Sequence, residues 1–364
     1  MFSAFSRLLA LAFLASLPAA TSGDPGVDQL DQSALQQAFR VLKSGYIRPD
    51  VFSYDEVNRA ALDGLLRRLQ FGAELVPADR KAPEVETPQP HFHAELLNPT
   101  TGYVRLQTYG PEELPMLDEW LGRFQSASAK TVILDLRVPQ RQSDLDTAAR
   151  ILDRFVNPNT ILFKMQKPKE DRPRLYVSQI TDIRWKDGLV VLVDSECSSA
   201  AELIAAVLRH ERGAFLVGSP TRGLTVEYDE VPLTKAVHLR FAVAEVVLAD
   251  STSLFRKGVQ PHLVAKTELV KKHKIFAAST SSSKAPLTSF LLDRARPRMN
   301  EAALVRGTDP ELDYYVARTR GERTQYDQLP LQDETLQRAL DLLTTLEFVK
   351  GGPNTVPAGP PPRG

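Results

Sequence analysis

The stretch Gly188–His210, GLVVLVDSECSSAAELIAAVLRH, decides the fold class. Its first six residues are a β-branched apolar run with no polar alternation, the pattern of a strand covered on both faces. A turn of small and polar residues, DSECSS, follows, and after it apolar residues recur at helical spacing. Strand, turn and helix in that order imply a crossover connection and a parallel sheet. Ser199 and Glu202 form S-x-x-E at the helix start, which reads as a capping box with the hydroxyl accepting a backbone N–H. The same place lies over the positive end of the helix, where a developing oxyanion would be stabilised. From spacing alone, Ser199 is therefore either a cap or a nucleophile.

Outward from this stretch the alternation continues. TGYVRLQTY and KTVILDLR read as strands before it, with SDLDTAARILDRFV as a helix, and GAFLVG as a strand after it. LTVEYDEVPL and AVHLRFAVAEVVLA read as a hairpin closing near Lys235 and Ala236. Upstream, two amphipathic helices with Ser33 and Ser53 as caps make a helical lead over 27–75, and the proline-rich 76–90 reads as a linker. The core is expected over 91–270. A C-terminal extension over 271–350 ends in the helix DETLQRALDLLTTLEF, and 351–364 is too rich in Pro and Gly to pack.

The 364 residues supply enough chain for a sizeable core. Lys plus Arg and Asp plus Glu both total 45, with no basic stretch interleaved with aromatics, so the charge pattern gives no nucleic-acid footprint. Residues 1–22, with Arg7, an apolar Leu8–Leu17 and a small-residue exit, read as a cleaved secretory signal, implying a secreted or periplasmic protein. The remainder holds no apolar run long enough to span a membrane. Cys197 is the one cysteine, so no internal disulfide forms.

Several chemistries drop out by motif. HExxH, CxxC and GxSxG are absent. His91 and His93 lack a third metal ligand, and no cofactor is implied. GSPTRGLT (Gly218–Thr225) fits a phosphate-loop spacing except that Leu224 stands where lysine is required, and a strand rather than a helix follows.

Taken in order, GYVRL (102–106), VILDLR (132–137), the serine stretch and GVQPHL (258–263) resemble the tail-specific, or C-terminal processing, serine peptidases. That resemblance implies a crotonase/Clp-like ββα core with a mostly parallel sheet, a helical lead and a helical extension. It also implies Ser199 as nucleophile, with the Ala200 N–H as an oxyanion donor. The family's general base, a lysine in a Thr-Phe-Gly-Lys-Gly motif, falls on Leu224 in TRGL. The family's Asn-Pro-Gly-Gly after the Leu-Asp-Leu-Arg strand is replaced by VPQRQ (138–142), and His262 replaces the aspartate of a Pro-Asp motif. No PDZ-sized segment separates the lead from the core.

A hydrocarbon cannot take a proton, and Arg222 stays protonated. His210 shares a helix with Ser199 but lies about 16 Å along its axis. His238, Glu245 and Lys257 are the candidate substitute bases, and Cys197 is a candidate thiol nucleophile. Three readings follow, the first two being a peptide-binding or scaffolding homologue with a degenerate centre, its partner a peptide or unfolded segment, and an active serine endopeptidase using Ser199 with a non-standard base. A purely structural envelope protein is the third.

Overall fold

Alternation of side chains along each strand of the core assigns one set to each face of a sheet, and the burial of both sets fixes the layering. The computed structural model describes residues 26–79, 92–139, 144–168, 170–280, 285–292, 307–321 and 331–351. The expected signal at 1–22, His91, most of the expected linker, residues 140–142 of VPQRQ and residues 352–364 lie outside them. The chain divides into two compact units, 1–75 with 239–241, and 76–238 with 242–364.

In the first unit, α1 (Gln32–Gly45) and α2 (Tyr54–Leu69) are the expected helices. Ser53 caps α2, its hydroxyl accepting the Glu56 N–H at 3.2 Å. Ser33, by contrast, lies inside α1. The cap is Asp31, whose extended backbone lets the carboxylate accept the Ala34 N–H at 2.7 Å. Acidic residues open α2 and Arg67 and Arg68 close it, complementing the helix dipole. A short strand, β1 (Ala73–Pro77), takes up the first residues assigned to the linker and bears Glu74, 2.9 Å from Arg240.

The second unit holds a six-stranded sheet made of β2 (His93–Asn98), β3 (Thr101–Arg105), β4 (Thr131–Asp135), β7 (Gly188–Val193), β8 (Phe215–Gly218) and β11 (Leu263–Val264). Its order is β11-β8-β7-β4-β3-β2, and every pair is parallel except β2 with β3. The α/β class and mostly parallel core expected from the sequence are thus what is found. Val104, Val132, Leu134, Val191 and Val193 face one core with α3 (Glu113–Ser126), α4 (Leu145–Asp153) and α5 (Ala200–Arg212). Tyr103, Ile133, Val190, Leu192 and Val217 face a second core with α6 (Leu269–Thr280) and the last helix, α8 (Glu334–Gly351). The remaining helix, α7, spans Pro310–Thr319.

A second sheet was not expected. It joins β10 (Val237–Leu248), β5 (Ile161–Gln166) and β6 (Arg174–Val177) in antiparallel register, with β9 (Val226–Pro232) also on β10 and β1 at its far side. The β9–β10 hairpin closes as expected, the Leu233 and Thr234 N–H groups both donating to the Val237 carbonyl at 3.0 Å.

Candidate active site

The turn between β7 and α5 is built by its own side chains. Asp194 Oδ1 accepts the Glu196 N–H at 2.9 Å, and the Asp194 carbonyl accepts the Cys197 N–H at 3.1 Å, so the chain reverses within four residues. Ser199 then takes φ 48°, ψ −112°, the first corner of a type II′ turn, which favours glycine. The expected capping box does not form. The Ser199 hydroxyl makes no cap hydrogen bond, and Glu202 turns toward the following loop instead.

Glu202 is wholly buried and takes four donors there: the Thr221 hydroxyl at 2.6 Å, the Gly223 N–H, the Leu224 N–H at 2.8 Å and the Thr225 hydroxyl at 2.7 Å. A carboxylate has about four lone-pair sites, so Glu202 has none left with which to accept the proton of Ser199. The Thr225 hydroxyl oxygen also lies 3.5 Å from the Ser199 carbonyl, and Arg222 donates its N–H to the Cys197 carbonyl at 3.2 Å. Residues 221–225 are thereby fastened against the serine turn.

The GVQPHL segment backs this loop. The Val259 N–H donates to the Thr221 hydroxyl at 2.8 Å and the Arg256 N–H to the Gly223 carbonyl at 2.8 Å. Both glycines at the junction have positive φ, and a Cβ on Gly258 would fall 2.5 Å from the Thr221 carbonyl oxygen. No side chain fits there.

The structure places the other candidates as follows. Leu224 is half-buried on the loop, at the position the resemblance gives to lysine. Ala200 is the first residue of α5 and fully buried, with its N–H among the helix's unpaired first-turn donors. Lys257 has an exposed side chain, but its backbone nitrogen abuts Gly223, 2.9 Å from where a Cβ would lie. His238 is on the hairpin with Nδ1 3.8 Å from Glu230, and Glu245 accepts the Ser253 hydroxyl. His210 sits at the far end of α5 against Glu211, 2.8 Å away.

Cys197 is sealed beneath the turn. It is completely buried, and desolvation, reinforced by the Asp194 charge, pushes its thiol well above the ordinary range. It donates to the Leu136 carbonyl at 3.1 Å, which also accepts the Tyr109 hydroxyl at 2.8 Å. His262 has a structural role: its Nδ1 accepts the Leu216 N–H at 3.0 Å, and its ring stacks on Phe215. His93 pairs with Glu95 at 3.6 Å, and among the described residues no group of three or more His, Cys, Asp or Glu side chains could hold a metal.

Sequence reasoning missed what lies on the opposite sheet face. Arg137, from the end of the Leu-Asp-Leu-Arg strand, forks between Asp135 and Asp333 at 2.6–2.9 Å with all three buried. Tyr103 donates to the same Asp135 at 2.7 Å. Lys272 on α6 reaches the serine turn itself, its ammonium on Asp194 and Glu196. Alternate charges inside an apolar strand were the available signal for the first pair, since charges are buried only when paired. Nothing in KKHK marked Lys272.

With this geometry in view, residues 100–265 match the family model of peptidase family S41. The segment from β3 to β11 is homologous to the core of peptidase family S41. Curated relatives match the chain at low identity. The carboxy-terminal-processing protease of Bartonella bacilliformis is 25% identical over 186 residues, covering 50% of this chain and 42% of the relative. The carboxyl-terminal-processing peptidase 3, chloroplastic, of Arabidopsis thaliana is 21% identical over 264 residues, covering 72% and 49%. The chain thus spans about half the length of the curated relatives it matches. The solved photosystem II D1 C-terminal processing protease overlays with a TM-score of 0.41 at 17% identity, over 58% of this chain and 53% of that one. No described helix of the S41 homologue is long and apolar enough to cross a membrane.

Proposed function

We propose that this S41 homologue binds peptides, or unfolded segments of proteins, at the Ser199 turn without hydrolysing them. One observation carries the reading: the loop at 221–225 is fully anchored by Glu202 and GVQPHL, yet offers a leucine where the family's proton acceptor belongs. Loss of the base in a serine peptidase costs on the order of 10⁶ in turnover. The reading of residues 1–22 as a secretory signal, from Arg7, the apolar stretch that follows it and the small-residue exit, supports action outside the cytoplasm. The wild-type chain is expected to resist a fluorophosphonate probe while retaining a fluorescent unfolded peptide. Leu224→Lys, which sets an amine on an already built loop, is expected to gain labelling that Ser199→Ala removes. Strong wild-type labelling at Ser199 would reverse the conclusion.

A second reading has one observation in its favour. The positive φ of Ser199 at a strand-to-helix turn is the kind of strained corner that presents a nucleophile in other hydrolases. On that reading the chain is an active endopeptidase with His238, Glu245 or Lys257 as its base, and Lys257, whose backbone nitrogen abuts Gly223, is the first to test. Lys257→Met would then abolish probe labelling in an otherwise wild-type chain.

A further inference from the structure

We propose that Lys272, outside the S41 match, is a positioning residue for the serine turn. The proposal rests on Ser199 marking the working centre. The Lys272 ammonium is completely buried and donates to three acceptors: the Arg137 carbonyl at 2.6 Å, Glu196 Oε2 at 2.6 Å and Asp194 Oδ2. An ammonium has three N–H bonds, so each is used.

The acceptors belong to two different pieces of chain. Asp194 and Glu196 open the turn that carries Ser199, and Arg137 ends the run at 132–137 that continues β4. One side chain from the C-terminal extension therefore ties the serine turn to the end of that run. A second fastening crosses the same gap, from the Cys197 thiol to the Leu136 carbonyl.

The surroundings hold Lys272 to this job. Phe276, one turn along α6, lies 5.8 Å from its ammonium, with the guanidinium of Arg105 at 4.1 Å and that of Arg137 at 5.5 Å from the same ring. His273 contacts Glu196 Oε2 at 2.7 Å from the solvent side. With three acceptors engaged, Lys272 has no N–H left for a substrate, so its effect passes through the turn.

The test compares the full chain with Lys272→Met, Lys272→Arg and Glu196→Gln. Leu121→Ala, on α3, is the control for general loss of stability. Hydrogen exchange is followed by mass spectrometry where every variant remains folded. Lys272→Met is expected to speed exchange in 194–203 by about tenfold or more while leaving 204–212 near wild type, because a local opening exposes only its own segment. In the Leu224→Lys background it is expected to slow fluorophosphonate labelling of Ser199 by roughly tenfold or more, as loss of alignment does. Lys272→Arg should restore part of both effects and Leu121→Ala should show neither. If Lys272→Met only lowers the melting temperature, with exchange and labelling following Leu121→Ala, the proposal is overturned. If Lys272→Met does not fold, Glu196→Gln alone should still loosen 194–203, and its failure to do so overturns the proposal equally. Should Leu224→Lys take no label at all, the Ser199 reading fails while exchange still reports on Lys272.

Discussion

Ser199 sits at a backbone corner where a Cβ is a disadvantage, and its hydroxyl does not hold the helix. Strain of this kind costs on the order of 1–3 kcal/mol, so Ser199→Gly is expected to raise stability by about 1 kcal/mol in urea denaturation. Ser199→Ala, which keeps a Cβ at the same corner, should bring none of that gain. Equal stabilities for the glycine and alanine variants would remove the strain from the account. Glu202 is the opposite case: it looked like a helix-start residue and is the post around which residues 221–225 are tied. Glu202→Leu would strand two hydroxyls and two N–H groups. Each unmet group costs about 1–3 kcal/mol, so a fall in melting temperature and faster exchange over 221–225 are expected. S-x-x-E was legible as a motif but ambiguous in meaning, because the choice between capping and loop anchoring is made by Thr221 and Thr225, twenty residues away in sequence.

Among the elements, those whose sequence periodicity matched their burial were legible. GLVVLV had to be covered on both faces and is, and the two hairpin strands close where expected. The strands ILFKMQ and RLYV form a sheet half open to solvent, and their mixed pattern is not diagnostic at that length. Helix α3 was overlooked although Leu114, Leu117, Leu121 and Phe124 keep helical spacing, with Pro115 in its first turn. At the edge of the main sheet, His262 lends β11 an acceptor for the Leu216 N–H. Partial burial and the charge of Arg209 lower its pKa, and protonation would remove that acceptor. A base with a lowered folded-state pKa supports the fold above its unfolded value, near 6.5, and that support fades as pH falls through the folded value. Wild-type stability should therefore decline below about pH 6.5 by a component that His262→Asp, which keeps an acceptor, lacks. Identical profiles for the two proteins would remove His262 from the account.

Over the whole of the second unit, the main sheet is held to its C-terminal helices by buried charge as well as hydrocarbon. Asp333 caps α8, accepting the Leu336 N–H at 3.0 Å, and forks with Arg137. Burial alone would raise its pKa, but the Arg137 guanidinium outweighs that and holds it below the usual carboxylate range. The hydrogen bond from His273 and the charge of Lys272 likewise overcome burial to lower Glu196. Depressed carboxylates stabilise the fold above their unfolded values of roughly 4 and cease to do so as pH falls through the folded ones. Acid below about pH 4 should thus loosen α6 and α8 first, seen as early exchange over 269–280 and 334–346 while α3 stays protected. Uniform loss of protection would contradict this. The last helix was legible as an element and α6 was not; the union of the last helix with the sheet was hidden because Arg137 and Asp333 are separated by nearly two hundred residues.

The lone thiol of Cys197 gives the molecule a built-in reporter. Sealed beneath the turn, it should meet a thiol reagent only when β7 and α5 part, so its modification rate times the motion that matters most for the site. For the same reason a dye or spin label attached to a cysteine introduced on the surface would be the sole tag, with no background to engineer away.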